Sequence, residues 1–309
     1  KTSIADFFHQ IFTLNKRSVG LIGTLGFKKN NSLKKRNLTT SDSISLHRDL
    51  NDMKNSKIEN VILEASSHGL KQKRLDFLNI NSGIFTNLSH DHIDYHKNMS
   101  NYLSAKLILF KKILKKNSTI ITDSEIKQYP LMKNIKKKRK LNLLSIGSLG
   151  NTFKILNHKI FNDYQLIRVS YKRKIYNLKI NLYGSIQIKN LLMSILACEK
   201  CGLKTKNIFK IINKIKSVDG RLELIRKLPN RSKIFLDYAH TPEALKKAIN
   251  SLQEHFNKKI TLVFGCGGER DKHKRKLMGK IANKLCSKVY VTDDNPRNEN
   301  RNVIRKNII

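Results

Sequence analysis

The sequence predicts an α/β fold with a mainly parallel sheet, because strand-like apolar segments alternate with segments of helical periodicity. Short apolar runs at residues 19–23 and 60–64 are typical of buried strands. Apolar residues recur at helical spacing from Ile4 to Phe12, directly before the first of these strands. At 309 residues, 39% of them hydrophobic, the chain is long enough for two domains with ordinary cores.

The remaining elements of the first two thirds follow in the same alternating order. Strands are expected at residues 83–87 and 119–123, with a long helix between them at about 100–115. The pattern then changes, since the polar and apolar alternation at residues 165–169 and 174–178 predicts antiparallel strands at one edge of the sheet.

A helix at residues 188–201, ended by Gly202, closes the first unit, and a second unit is expected to begin near Ser217. Thr241 can cap a helix there, with Pro242 at its first position. The other expected elements of this unit are strands at 233–237, 260–264 and 288–292 and helices at 274–286 and 303–309.

The chain is strongly basic, with 62 lysines and arginines against 23 acidic residues and a formal net charge of +39. Such a charge raises nucleic acid as a partner. The basic residues are spread along the whole chain, however, so a general bias toward Lys, Asn and Ile is the favoured interpretation. A basic nucleic-acid-binding protein remains the alternative from another functional class, but no specific nucleic-acid partner is expected.

The cellular compartment of the protein is indicated by features that the sequence lacks. No apolar stretch approaches the ~18 residues of a membrane span, and no signal peptide is visible, so no membrane partner is expected. The four cysteines are too scattered for a disulfide framework, which fits a cytoplasmic protein. Cys198 and Cys201 are expected to pack inside a helix.

Polar clusters follow several predicted strands, where ligands bind in open α/β sheets. In the cluster at residues 89–96, three histidines and two aspartates fall within seven positions. Zinc would suit these residues, but their spacing matches none of the common structural zinc motifs. A site for a hard metal ion, with one histidine among its ligands, is therefore at least as good an interpretation. Taken singly, each cluster could also be turn chemistry. The clusters are residues 64–70, 89–96, 237–242, 265–271 and 293–297.

Taken in order, these motifs resemble the Mur ligase family over nearly the whole chain. The resemblance begins with Ile-Leu-Glu-Ala-Ser-Ser-His-Gly-Leu at 62–70, Phe-Thr-Asn-Leu-Ser-His-Asp-His-Ile-Asp-Tyr-His at 85–96 and Ser-Ala-Lys at 104–106, and it continues at 237–242, 263–270 and 294–297. It implies a P-loop ATPase-like central domain at residues 1–216, starting inside the P-loop. A Rossmann-like C-terminal domain, truncated, would occupy 217–309.

The resemblance also implies an activity. Mur ligases activate a carboxylate with ATP as an acyl phosphate, which an amine then attacks, and they need Mg²⁺. Within the family, the motifs are similar to those of the ligases that add meso-2,6-diaminopimelate to UDP-N-acetylmuramoyl-L-alanyl-D-glutamate in peptidoglycan synthesis. A Mur-type ligase for L-lysine and a folylpolyglutamate-synthase-like ligase are the closest alternatives.

We expect a monomer that acts on small molecules. We also expect this 309-residue piece to be inactive alone, since the resemblance places the P-loop glycines and a uridine-nucleotide domain upstream of Lys1.

The same resemblance assigns roles to individual residues for phosphoryl transfer. Lys1 matches the phosphate-binding lysine and Thr2 the Mg²⁺ hydroxyl. Glu64 matches the carboxylate of the first Mg²⁺, His92 the histidine of the second, and Lys106 a lysine that is carbamylated in the family. The residues matched to nucleotide contacts are Asn190, Arg221 and Asp237. Ile186 and Gln187 depart from the family's Gly-x-Phe-Asn-x-x-Asn pattern, and this departure puts the packing against the adenine ring in question.

Two further groups match substrate contacts. An arginine can bind the extra carboxylate that distinguishes diaminopimelate from lysine through two parallel hydrogen bonds. The contacts implied for the UDP-linked dipeptide are Thr39, Thr40, Ser66, Gln72 and Arg74, and those for diaminopimelate are Arg270, Asp294, Asn295, Pro296 and Arg297.

Overall fold

The computed structural model describes all 309 residues and confirms the mixed α/β fold. Its contacts divide the chain into two compact units. Unit 1 consists of Lys1–Leu88, Asn98–Leu182 and Ile186–Val218, and unit 2 of Ser89–Lys97, Tyr183–Ser185 and Asp219–Ile309. None of the helices has the length and apolar character needed to cross a bilayer.

The first half of unit 1 carries a four-stranded mixed sheet in the order β3-β2-β1-β4. Strands β1 and β4 are parallel, whereas β2 and β3 continue from β1 as antiparallel strands. Helix α1 packs on β1 and β4. The elements are α1 (Thr2–Leu14), β1 (Val19–Gly23), β2 (Gly26–Lys29), β3 (Ser32–Lys34), α2 (Ser43–Asn55), β4 (Asn60–Leu63) and α3 (Ser67–Lys71).

A second, six-stranded sheet of unit 1 has the order β10-β9-β8-β7-β6-β5. Strands β5 to β8 are parallel, and β8, β9 and β10 are antiparallel, as the alternating pattern predicted. The elements are β5 (Ser82–Phe85), α4 (Ile93–His96, in unit 2), α5 (Met99–Ile108), β6 (Thr119–Asp123), α6 (Tyr129–Arg139), β7 (Asn142–Gly147), β8 (Phe153–Ile160), β9 (Gln165–Tyr171), β10 (Lys174–Ile180), α7 (Ser185–Lys200) and α8 (Thr205–Ile211).

Two apolar cores stabilise unit 1. One gathers aromatic and aliphatic side chains of α1 and α7, including Phe7 and Leu191, which are fully buried. The other gathers residues of α2, β5 and α6, including Leu46, Phe85 and Met132. Both cores pack against the sheets, so the strand ends that carry polar residues are fixed by the burial of apolar residues beside them.

Unit 2 contains two short sheets, an antiparallel pair β11–β12 and a parallel pair β13–β14. Thr241 caps α9 as predicted, because its hydroxyl accepts a hydrogen bond from Ala244 N at 3.3 Å, and Pro242 begins the helix. The elements are β11 (Glu223–Lys227), β12 (Lys233–Leu236), α9 (Pro242–Phe256), β13 (Thr261–Phe264), α10 (His273–Leu285), β14 (Lys288–Val291) and α11 (Arg301–Ile308).

Candidate active site

Glu64 follows β4 directly, and its carboxylate accepts hydrogen bonds from Thr2 and Thr24. Only 4% of the residue is exposed. Thr2 Oγ1 donates to Glu64 Oε2 at 3.2 Å, the peptide N–H of Thr24 donates to Oε1 at 2.9 Å, and the Thr24 hydroxyl lies 3.3 Å from Oε2. A Cβ at Gly23 would fall 2.5 Å from Glu64 Oε1, so a larger residue there would displace the Glu64 carboxylate. The predicted pair Thr2 and Glu64 is therefore brought into contact.

A cavity of about 400 Å³ in unit 1 collects three of the predicted residues. Lys1, Glu64 and Lys106 all line it, among mostly apolar neighbours. Two ammonium groups and one carboxylate among apolar residues carry a net positive charge, which attracts an anion.

The oxygen donors at this position suit Mg²⁺. Mg²⁺ is usually held by one or two carboxylates together with waters and substrate phosphates. Thr2 and Glu64 supply a hydroxyl and a carboxylate of that kind.

The chain contains no group of three or more His, Cys, Asp or Glu side chains that could hold a metal ion, so the structure does not assemble the zinc motif considered for residues 89–96.

Lys106 has the surroundings of a cation. Its Nζ donates to the carbonyl oxygen of Asn87 and lies 5.5 Å from the ring centre of Phe85 and 5.2 Å from that of Tyr102. A carbonyl oxygen and two aromatic faces stabilise an ammonium group. The carbamylation expected from the resemblance stays a prediction.

Helix α7 carries the predicted nucleotide asparagine. Asn190 Nδ2 donates to Gln187 Oε1 at 3.0 Å, so the residue that replaces the family's first asparagine holds the second one in place. Gln187 is buried, whereas Ile186 is 39% exposed. An apolar side chain is therefore partly exposed at position 186, beside the buried Gln187.

In unit 2, Asp91 joins two of the polar clusters found in the sequence. Its Oδ2 lies 3.4 Å from His92 Nε2 and 3.9 Å from His240 Nε2, and its Oδ1 accepts a hydrogen bond from the peptide N–H of His92 at 2.9 Å. His92 adopts a left-handed backbone with φ of 56°. Asp91 thus positions the imidazole of His92, the side chain predicted to bind the second Mg²⁺.

Asp237 organises the turn that carries Arg221. Its Oδ2 accepts from Leu222 N and its Oδ1 from Ala239 N, both at 2.9 Å. The guanidinium of Arg221 lies 4.5 Å from the ring centre of Tyr238, a cation–π arrangement. The predicted residues His92, Arg221 and Asp237 therefore all belong to unit 2, and Lys1, Thr2, Glu64, Lys106 and Asn190 belong to unit 1.

The residues predicted to contact the UDP-linked dipeptide form one connected network. Thr40 Oγ1 donates to Glu64 O at 2.7 Å and accepts from Ser66 N at 2.9 Å. The guanidinium of Arg74 donates to Thr40 O at 2.6 Å and to the side chain of Gln72. Thr39 Oγ1 lies 3.2 Å from the hydroxyl of Thr24, which links this network to the Glu64 carboxylate.

Two loops of unit 2 carry the residues predicted to bind diaminopimelate. Arg297 Nη1 donates to Gly268 O at 2.6 Å, and Gly268 N donates to Asn295 O at 2.9 Å. A Cβ at Gly268 would fall 1.8 Å from Pro296 O, so this glycine allows the loops to touch rather than a ligand to approach. Arg270, Asp294 and Arg297 lie on the exposed side of the loops.

Sequence reasoning did not identify several residues that build the site. Thr24 carries no motif, and its role emerges only where the chain folds back on Glu64. Asp91 and His240 sat in recognised clusters, but their proximity is a tertiary contact. Arg275 and Glu299, which pair beside the two loops of unit 2, belong to none of the motifs found in the sequence.

Comparisons with known proteins identify the family of the chain. The Mur ligase middle domain family matches residues 1–198, and the Mur ligase glutamate ligase domain family matches residues 220–309. UDP-N-acetylmuramoyl-L-alanyl-D-glutamate--2,6-diaminopimelate ligases of Rickettsia bellii and Zymomonas mobilis are 38% and 36% identical over the whole chain. The chain spans 65% and 64% of the length of these two relatives.

Solved structures show the same similarity. A structure of a UDP-N-acetylmuramoyl-L-alanyl-D-glutamate--2,6-diaminopimelate ligase, 28% identical, superimposes with a TM-score of 0.74 and covers 100% of this chain and 63% of its own. The fold is also that of a MurF ligase from Thermotoga maritima in complex with ADP, with a TM-score of 0.71, 18% identity, and coverage of 99% and 75%. The chain belongs to the Mur ligase family.

Proposed function

We propose that this chain is the catalytic part of an ATP-dependent amide ligase that adds meso-2,6-diaminopimelate to UDP-N-acetylmuramoyl-L-alanyl-D-glutamate in peptidoglycan synthesis. The relatives that bear this name and match the whole chain at 34–38% identity support the proposal. The chain spans about two thirds of their length, 64–65%, so the activity belongs to the longer protein. A cytoplasmic monomer acting on small molecules is part of the same proposal.

One observation supports phosphoryl transfer most directly, namely that Glu64, which accepts a hydrogen bond from Thr2, lines the same cavity as Lys1 and Lys106. Phosphoryl transfer to a carboxylate must bring two anions together. The cost of that approach falls when fixed cationic groups lie next to the transferring phosphoryl group. Lys1 would supply such a group, Lys106 would do so while its amine is unmodified, and bound Mg²⁺, held by Thr2 and Glu64, would neutralise further phosphate charge.

The proposed reaction has two steps. A carboxylate oxygen of the glutamate attacks the γ-phosphorus of ATP, and the bond to the ADP oxygen breaks, which leaves an acyl phosphate. The neutral amine of the amino acid then attacks the acyl carbon, phosphate leaves, and the amine gives up a proton. Asn190, Arg221 and Asp237 are assigned to the nucleotide. The MurF ligase from Thermotoga maritima, which shares this fold, binds ADP, and this supports a nucleotide as the ligand.

Acceptor choice is assigned to the two loops of unit 2. Arg297 and Arg270 would face the distal carboxylate of diaminopimelate, and Asp294 its ammonium group. Arg297 already donates to Gly268 O, which fixes its guanidinium at the contact between the loops. An arginine left without its carboxylate partner penalises lysine as an acceptor.

The proposal is tested with an acceptor panel on the complete protein that contains this chain. Phosphate release and product mass are measured with ATP, Mg²⁺, the UDP-linked dipeptide and one amino acid at a time. We expect turnover with meso-diaminopimelate and much slower turnover with L-lysine. Equal use of L-lysine, or activity only with a folate substrate, would contradict the acceptor assignment. Binding of random DNA without ligase activity would favour the nucleic-acid alternative.

A further inference from the structure

Lys189, near the start of α7, joins two carboxylates at the end of β6. Its Nζ lies 2.7 Å from Asp123 Oδ2 and 2.5 Å from Glu125 Oε2. Asp123 is buried, and Lys189 is half-buried. Burial opposes a charge on Lys189, yet hydrogen bonds to the two carboxylates raise the pKa of its ammonium group above the usual 10.5. Lys189 therefore stays charged at neutral pH within this group of three side chains, the Lys189 cluster.

The Lys189 cluster ties α7 to the ends of two neighbouring strands. Asp123 is the last residue of β6, and its Oδ1 accepts a hydrogen bond from Glu125 N at 2.9 Å. Glu125 Oε1 accepts from the peptide N–H and the hydroxyl of Ser148, directly after β7, at 2.8 and 2.7 Å. A Cβ at Gly147 would lie 3.0 Å from Asp123 Oδ1 and 3.2 Å from Glu125 Oε1. The cluster therefore occupies the carboxyl ends of parallel strands, the edge where ligands bind in α/β sheets.

The charge pattern of the sequence sets the two carboxylates apart. Between Asp94 and Asp163, Asp123 and Glu125 are the only acidic residues, whereas basic residues are abundant in the same stretch. Both carboxylates nevertheless bind one lysine that lies more than 60 positions away in the sequence. The abundance of lysine in this chain does not by itself explain why a single lysine collects both.

A second contact fixes α7 against α1. Ser194 follows Asn190 by one helical turn and is fully buried, and its hydroxyl lies 2.9 Å from Ile4 O and from Asn190 O. Ile4 belongs to the first turn of α1, two residues after Thr2. The Lys189 cluster and Ser194 thus hold the turn that carries Asn190 between the strand ends and the helix that carries Thr2.

We propose that Lys189 is a positioning residue for the nucleotide, because the Lys189 cluster sets the place of Asn190 relative to Thr2. The inference rests on the proposed function, in which Asn190 and Thr2 serve the two ends of the nucleotide, its base and its phosphates. Gln187, which accepts a hydrogen bond from Asn190 at 3.0 Å, has one more rotatable bond than the asparagine of the family pattern. An ion cluster that fixes this turn limits the freedom that the longer side chain adds.

ATP binding to the complete protein that contains this chain tests the proposal, measured by titration calorimetry. Lys189→Met removes the cation, and we expect the Kd for ATP to rise about five- to tenfold, as misplacement of one hydrogen-bonding group predicts. The affinity for inorganic tripolyphosphate, which has no base, should stay at the wild-type value. A general loss of structure would weaken both ligands. Lys189→Arg keeps the charge and should restore most of the affinity for ATP.

Lys172→Met is the matched control, because Lys172 pairs with Glu199 near the other end of the same helix. It should leave the Kd for ATP within about twofold of the wild-type value. An equal loss in both variants, or wild-type affinity in a folded Lys189→Met variant, would overturn the proposal while ATP binding by the wild type still supported the ligase. A wild-type protein that binds no ATP would overturn the proposed function and this inference with it.

Glu125→Gln keeps the test informative if Lys189→Met does not fold, since Lys189 then retains Asp123 as its partner. We expect the Kd for ATP to rise about two- to fourfold in this variant. In steady-state assays KM for ATP should rise by the same factor, with kcat within about twofold of the wild type, because the Lys189 cluster is assigned no contact with the transferring phosphoryl group. A folded Glu125→Gln variant with wild-type affinity for ATP, or with a loss confined to kcat, would overturn the proposal.

Discussion

Arg275 and Glu299 form a two-pronged ion pair behind the loops of unit 2. Arg275 Nη1 lies 3.0 Å from Glu299 Oε2, and Nη2 lies 3.1 Å from Oε1. The arginine is fully buried and also donates to Gly267 O at 3.3 Å, while Glu299 accepts from Glu269 N at 2.5 Å. One side chain of α10 thereby fixes both loops that carry the predicted amino-acid contacts.

Arg275→Met should destabilise unit 2, because it leaves the Glu299 carboxylate without its main partner. We expect a fall in Tm of at least about 5 °C by calorimetry. Lys272→Met is the matched control, since its exposed Nζ lies 3.8 Å from the same carboxylate. That variant should shift the Tm by less than about 2 °C. Equal effects of the two substitutions would show that the buried pair has no special role.

Glu125 makes part of the stability of unit 1 dependent on pH. Hydrogen bonds from Lys189 and from Ser148 lower the pKa of this carboxyl to about 2 from its usual 4.5. Because the pKa is depressed in the folded state, the stabilisation is complete above pH 4.5 and is lost as the pH falls toward 2. The wild-type chain should therefore have a higher Tm than Glu125→Gln at pH 6. A Tm difference that stays constant down to pH 2 would contradict this assignment.

Glu64→Gln should impair catalysis in the complete protein. The substitution keeps the volume of the side chain but removes the charge that Thr2 and Thr24 surround. We expect the rate at saturating substrate to fall on the order of a hundredfold, with a higher Mg²⁺ requirement. Glu59→Gln is the control, because Glu59 lines the same cavity but pairs with Arg17 at the surface. An unchanged Mg²⁺ requirement in Glu64→Gln would separate this residue from the metal.

Arg297→Ala should change the choice of amino acid in the complete protein. We expect kcat/KM for meso-diaminopimelate to fall about 10- to 100-fold, as loss of a charged hydrogen bond predicts, while ATP binding is retained. Arg301→Ala removes an exposed arginine from the start of α11 and should have little effect. Should Arg297→Ala use diaminopimelate as well as the wild type, the carboxylate contact lies elsewhere.

Element type was predictable where the apolar pattern was continuous, as for β13 and α9. The long helix expected at residues 100–115 is in fact α5, ending at Ile108, followed by a π-helical turn at Leu109–Ile113. Strands β2 and β3 escaped prediction because lysines interrupt them and all three residues of β3 are exposed. Their pairing comes from continuing the edge of β1, which no local pattern indicates.

The candidate site was likewise predictable only in part. Residue types at strand ends identified Glu64 and the cluster around His92, and the order of motifs assigned their roles. The approach of Thr24 to Glu64, and of Asp91 to His240, depends on how distant segments fold together. In the cluster at 265–271, Gly265 and Gly268 face the backbone of the neighbouring loop, whose atoms lie 2.4 Å and 1.8 Å from a built Cβ, a contact that the sequence pattern does not indicate.

Strands β4 and β5 each lie at the end of a sheet, with one edge that pairs with no other strand, and this bears on how the chain behaves in solution. A strand edge without a partner strand can pair with a strand of another molecule. Aliphatic side chains beside the edge strengthen this tendency to associate. The net charge of +39 opposes such encounters, because like-charged molecules repel at low ionic strength. Added salt shortens the range of that repulsion to ~10 Å at 0.1 M. Concentrated samples should therefore stay monodisperse in dilute buffer and begin to scatter light as salt is raised.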